Sequence, residues 1–196
     1  MTARWPADPS HIAEAAERLR AGAVIGFPTD TLYAVGARAA DPVALRRLYA
    51  VKQRPADQPM VWLVIDRAQV EPFAVVSPVA AKLMTRFWPG PLTLVLSARD
   101  PANGSTIAVR APNHEVALAL LTALGEPVAS SSANPAGQSP PVDADQVIAG
   151  LGNQVDLVLD AGPCPIGQPS TILDLTGVTP RILRQGAIPH ADLIVK

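Results

Sequence analysis

Apolar residues fall at helical spacing just inside the amino terminus. Ile12, Ala15, Ala16 and Leu19 share one face, and Gly22 ends the pattern. The spacing predicts a helix over residues 11–21 with Ser10 as its cap. A continuous apolar run over 23–27 predicts a strand, stopped by Pro28. Asp41-Pro42 supplies an N-cap and a first-turn proline. A helix should follow to about residue 51, with Val43, Leu48 and Val51 inward. Residues 60–65 read as a second strand. Further helical stretches open at Asp66 or at Ser77-Pro78, the clearer one passing through Leu83 and Phe87. Trp88-Pro89-Gly90-Pro91 is a hard break.

Beyond the break, strands over 92–96 and 106–110 flank a turn at 100–105. A helix over 114–124 stops at Gly125, and a strand over 128–131 opens into a polar loop, 132–141. Asp143 or Asp145 caps a short helix that ends at Gly150. A strand at 156–160, a Gly/Pro loop at 161–168 and a hairpin of 171–175 with 181–184 follow. Strands alternate with helices, yet hairpin-like neighbours also occur. The pattern predicts one α/β (α+β) domain, residues 1–196, with a twisted mixed sheet flanked by helices.

Composition narrows the function classes. Sixteen Lys and Arg against seventeen Asp and Glu leave a net charge of −1, which argues against a basic nucleic-acid coat. It leaves room for a local basic pocket. One cysteine, Cys164, excludes an intrachain disulfide and a multi-cysteine zinc site, and suits a reducing compartment. No apolar run approaches a membrane span and no signal-peptide core is present, so a cytoplasmic protein is expected. His11, His114 and His190 are scattered, so no histidine metal site is expected.

The familiar nucleotide loops, G-x-x-x-x-G-K-[ST] and G-x-G-x-x-G behind a strand, are missing. Polar clusters stand at strand ends instead. Thr29-Asp30-Thr31 follows the first strand, and serves either an ordinary turn or a ligand. Lys52 and Arg54 end a helix, where they compensate its dipole or grip an anion. Arg110 closes an apolar strand, so its charge either reaches water or meets a buried anion. Ser130-Ser131-Ser132-Ala133-Asn134, Ser170-Thr171 and Arg184 end or open other strands. Together they suit an anionic, oxygen-rich ligand bound across a sheet edge. Cys164, Trp5 and Trp62 read as incidental or packing residues; Trp88 alone has a place beside a cleft.

In order, Pro28-Thr29-Asp30-Thr31-Leu32-Tyr33, Lys52-Gln53-Arg54-Pro55, Ala108-Val109-Arg110, Ser131-Ser132-Ala133-Asn134, Pro169-Ser170-Thr171 with Asp174, and Arg184-Gln185-Gly186 resemble the YrdC family. The resemblance runs from about residue 13 to 188, as in short-form members without an extra carboxy-terminal domain. It implies a twisted mixed sheet with a concave basic cleft. It also implies a threonylcarbamoyl-AMP synthase that joins L-threonine, bicarbonate or CO2, and ATP with release of pyrophosphate. The product serves threonylcarbamoyladenosine formation at tRNA position 37.

By motif, Thr31, Arg110, Ser130 and Ser170 would contact threonine. Lys52 and Arg54 would be the catalytic phosphate clamp. Gln58, Thr106, Ser132, Asn134, Pro140 and Arg184 would join them on ATP. Mg2+ would come with ATP, with no dedicated cage, Asp30 being one candidate contact. Transient contact with the threonylcarbamoyl transferase machinery and tRNA is implied, and no membrane. Departures from the pattern are Tyr33-Ala34-Val35-Gly36 for Y-G-L-G, Gln58 for asparagine and Leu63 for histidine. A YciO-like nucleotide-binding branch shares Val155-Asp156-Leu157 and Asp174-Leu175-Thr176 but tends to lose the lysine–arginine and serine–asparagine motifs kept here. An RNA-binding or ribosome-assembly module is the other alternative.

Overall fold

The structure is a computed structural model and describes residues 2–55, 58–100 and 105–193. Its strands are β1 (Ala3–Pro6), β2 (Ile25–Phe27), β3 (Ala34–Arg38), β4 (Val61–Leu63), β5 (Leu92–Ser97), β6 (Thr106–Arg110), β7 (Val128–Ser132), β8 (Leu157–Asp160), β9 (Thr171–Asp174) and β10 (Arg181–Arg184). Its helices are α1 (Pro9–Arg20), α2 (Pro42–Lys52), α3 (Pro78–Phe87), α4 (Glu115–Leu124) and α5 (Ala144–Leu151). The strands form one mixed sheet in the order β1-β8-β2-β3-β7-β4-β6-β5-β9-β10. β1/β8, β2/β8, β4/β6 and β5/β9 are parallel pairs; the others are antiparallel.

The two-residue period of a strand assigns each face its helices. Ile25 and Phe27 of β2 and Leu157 and Leu159 of β8 pack under α1 and α4. Val35 and Ala37 of β3 and Val158 of β8 point the other way, under α2 and α5. A third core lies beneath α3, where Leu83 and Met84 meet Leu92, Leu94, Leu96 and Val109. Truncating one of these buried leucines to alanine costs about 2–5 kcal/mol.

Several local expectations change. α1 is capped by Asp8, whose side chain accepts N–H bonds from Ser10 and His11; Ser10 only donates its hydroxyl to Asp8. Pro9 explains the shift, because its fixed φ suits the first helical turn. Val43 is 58 % exposed, since the inward stripe of α2 is Ala44, Leu48 and Val51, and Val43 lies off that spacing. The stretch after Asp66 remains a series of turns. β1 and β3 have no counterpart in the sequence reading. β1 carries a proline, and β3 is built of small residues, with Gly36 where a Cβ would stand 2.6 Å from Val128. Of the turn at 100–105, residues 101–104 lie outside the described residues. No helix among the described residues is long and apolar enough to cross a membrane.

Candidate active site

The polar strand ends converge. One cavity of about 260 Å³ is lined by residues from β3, β7, β4, β6, β5, β9 and β10 and by the bend after β2. A sheet that touches one cavity with so many strands curves around it. Ala34, Val61 and Leu63 form an apolar floor. Thr29, Thr31, Thr93, Ser130, Ser131, Ser132 and Ser170 supply hydroxyls, and Arg54, Arg110 and Arg184 the charge. Among the described residues no carboxylate lines it.

The bend is held by its own side chains. Thr29 Oγ1 accepts N–H bonds from Thr31 and Leu32 and lies 2.7 Å from the Leu32 carbonyl oxygen, to which it donates. Behind it, the Tyr33 hydroxyl donates to the Gly162 carbonyl, and burial raises its pKa. Arg110 ends β6 and is 6 % exposed. Its Nε donates to the Gly90 carbonyl at 3.0 Å, Nη1 to Thr31 Oγ1 at 2.8 Å, and Nη2 to Asp30 Oδ1. Gly90 permits this, because a Cβ there would lie 2.4 Å from the Phe87 carbonyl oxygen. Burial lowers the Arg110 pKa, and the Asp30 carboxylate opposes that shift.

On the far wall, Thr93 Oγ1 and Ser170 Oγ are 2.8 Å apart. Arg184 reaches back from β10 to the Ser170 carbonyl through Nε and Nη2, at 3.1 and 2.9 Å. Gly186 allows this close pass, since a Cβ would stand 2.3 Å from the Pro169 carbonyl oxygen. Arg54 donates to the Gln58 and Pro59 carbonyls. The cations repel one another: Arg54 lowers the pKa of Arg184 after burial, and Arg184 acts likewise on Arg110. Such a cavity favours an anion that neutralises the cluster.

Eight sequence-assigned residues line the cavity: Thr31, Arg54, Arg110, Ser130, Ser132, Pro140, Ser170 and Arg184. Four do not. Lys52 is buried behind the site, with Nζ donating to the carbonyls of Ser132 and Asn134. Its pKa is pushed down to about 8, chiefly by burial and then by Arg54. Asn134 spends its amide on the carbonyls of Pro135 and Gln138, closing its own turn. Gln58 is exposed, and its backbone rather than its amide bonds Arg54. Thr106 opens β6 while Arg110 ends it, about 13 Å away at the rise of a strand.

Thr93 and the apolar floor escaped the sequence reading, whereas Ser131, named there in its serine cluster without a role of its own, does line the cavity. Thr93 is the one hydroxyl in the otherwise apolar run 92–96, and that interruption is its signal in the sequence; the structure buries it fully. Trp88 packs on the third core and donates Nε1–H to the Leu92 carbonyl, away from the cavity. Cys164 is buried, and burial pushes its thiol up to about 11, which makes it a poor nucleophile.

A family model for the Sua5, YciO and YrdC proteins, described as telomere recombination, matches residues 17–186. The chain belongs to this Sua5/YciO/YrdC family. It is 40 % identical to the threonylcarbamoyl-AMP synthase of Bacillus subtilis, over 95 % of this chain and 56 % of that protein. The chain spans about half the length of the first curated relatives it matches. The structure of Pyrococcus abyssi Sua5 complexed with L-threonine superposes with a TM-score of 0.90 at 36 % identity, covering 98 % of this chain and 59 % of that one. E. coli YciO superposes with a TM-score of 0.90 at 30 % identity, over 99 % of this chain and all of that one.

Proposed function

We propose that this protein is an L-threonylcarbamoyladenylate synthase, a nucleotidyltransferase acting in the cytoplasm on L-threonine, bicarbonate or CO2, and ATP. One observation carries the reading: three arginines and a ring of hydroxyls face one cavity that no carboxylate lines among the described residues. Likeness to named synthases and to a threonine-bound Sua5 supports it.

The chemistry needs little beyond charge and alignment. The threonine amine adds CO2, or bicarbonate with loss of water, and becomes a carbamate. The carbamate oxygen attacks the α-phosphorus of ATP, a P–O bond forms, and pyrophosphate leaves with the electrons of the broken bond. Two anions must meet, so neutralising them while holding them in line is the main task. Arg110 and Thr31 would hold the amino acid with Ser130 and Ser170. Arg54 and Arg184 would hold the phosphates, with Ser132 and Pro140 along the nucleotide. Lys52 would add positive potential from behind the turn at Ser132 and Asn134, without touching ligand.

Among the described residues no group of three His, Cys, Asp or Glu can hold a metal ion. Asp30 pairs with Arg110 through Oδ1 and does not line the cavity. The described residues thus form no dedicated protein cage for Mg2+, and none of the steps above is assigned to it; the ion would arrive on the triphosphate as part of the substrate. Transfer of the product toward tRNA belongs to a transient partner in this reading.

The full-length overlap with YciO favours one second reading, a nucleotide-binding protein without the synthesis. Pyrophosphate release from ATP, Mg2+ and bicarbonate, with and without L-threonine, separates the two. Threonine-dependent release with a threonylcarbamoyl-adenylate mass supports the synthase. ATP binding without release supports the second reading.

A further inference from the structure

Arg110–Asp30 is the ion pair among the described residues in which both side chains are buried, at 7 % and 4 % exposure. A guanidinium has five N–H donors. Gly90, Thr31 and Asp30 engage three of them, and the residue lines the cavity. Two donors remain, one on Nη1 and one on Nη2, for a ligand in the cavity. Asp30 spends only Oδ1 on the pair; its Oδ2 is buried with no hydrogen-bond partner. This one-point contact neutralises Arg110 while leaving it donors for a ligand.

The neighbouring hydroxyls are oriented too. Thr29 donates its single hydroxyl proton to the Leu32 carbonyl. Both lone pairs of Thr29 Oγ1 are taken by the Thr31 and Leu32 N–H groups, so the Thr31 hydroxyl, 3.0 Å away, keeps its own proton free of that turn. Arg110 Nη1 fills one lone pair of Thr31 Oγ1, and the other is left. Thr31 lines the cavity and keeps one lone pair as an acceptor. It suits an ammonium, while Arg110 suits a carboxylate whose charge Asp30 already opposes.

We infer that Asp30 is a specificity-determining residue: by neutralising Arg110 it makes the site select ligands that carry a cation beside their carboxylate, α-amino acids over simple carboxylic acids. The inference rests on the amino-acid reading above. At Arg110 a bare carboxylate would share one guanidinium with the buried Asp30 carboxylate, whereas a zwitterion carries its own counter-charge. Asp30 does not line the cavity, so it acts through Arg110 and the local field.

Calorimetric titration of the whole protein with L-threonine and with its des-amino counterpart, (R)-3-hydroxybutyrate, tests this. Wild type should prefer L-threonine by at least about a hundredfold, and Asp30→Asn should narrow that ratio by at least about tenfold. A merely structural Asp30 would weaken both ligands alike, and an unchanged ratio overturns the inference. If Asp30→Asn does not fold, equal affinity of wild type for both ligands overturns it as well. A wild type that binds neither ligand sinks the amino-acid reading itself, which is a different failure.

Discussion

Lys52 Nζ lies 2.5 Å from the carbonyl oxygen of Ser132, so the ammonium of one motif is bound to the backbone of another. It also donates to the Asn134 carbonyl. The last residue of α2 thereby ties down the end of β7, where Ser130 and Ser132 face the cavity. Lys52→Met should loosen that turn and lower turnover by about 10²–10³. Measured kcat/KM for ATP checks this, and a loss below about threefold would show that the tie is dispensable.

The same lysine predicts opposite pH trends for function and stability. Its folded pKa of about 8 lies below the ordinary 10.5. As pH rises through about 8 the folded site loses this charge, and ATP affinity should fall. The unfolded chain keeps its proton up to 10.5, so the cost of burying the charge is relieved between 8 and 10.5 and stability rises with pH there. Urea midpoints across that window should climb for wild type relative to Lys52→Met.

Arg54 and Arg184 both line the cavity, Arg54 held by the Gln58 and Pro59 carbonyls and Arg184 by that of Ser170. Arg54→Ala and Arg184→Ala should each raise the ATP dissociation constant by about tenfold or more, with L-threonine binding changed less. Arg110→Ala should reverse that pattern. Calorimetry with each ligand alone separates them.

His114 caps α4 by accepting the Val116 N–H on Nδ1. Burial lowers its pKa from 6.5, with the Asp30 charge opposing the shift. The folded state thus resists a proton that the unfolded chain accepts, and stability should be lost as pH falls below 6.5. His114→Asn keeps a capping acceptor and removes the titration. Its unfolding midpoint should change less than wild type between about pH 7 and about pH 5.

Gly186→Ala should fail locally. The added methyl would lie 2.3 Å from the Pro169 carbonyl oxygen and 2.5 Å from the Ser170 carbonyl carbon. Relieving that clash costs about 1–3 kcal/mol and displaces Arg184 from Ser170. Thermal unfolding should drop modestly, while ATP affinity drops as in Arg184→Ala.

Much was legible in the linear pattern. Leu48 and Val51 of α2, Leu83 of α3, and Ile107 and Val109 of β6 are buried as their spacing demands. Period and caps are local physics, written in neighbouring residues. β3 was invisible because Ala34, Val35, Gly36 and Ala37 are all small and all buried, so no alternation marks them. Such a strand is selected by its two neighbours, β2 and β7, rather than by its own side chains.

The sequence by itself determined which groups are available: hydroxyls and cations stand at strand ends, and no multi-cysteine or phosphate-loop motif is present. Only the tertiary structure decided their division of labour. Arg54 and Lys52 are two positions apart, yet one lines the cavity while the other is turned into the backbone behind it. Thr106 and Arg110 share a strand, yet only Arg110 reaches the site. Asp30 is drawn to Arg110 across eighty residues of sequence because a buried guanidinium needs a counter-charge, and only the folded sheet brings one within reach.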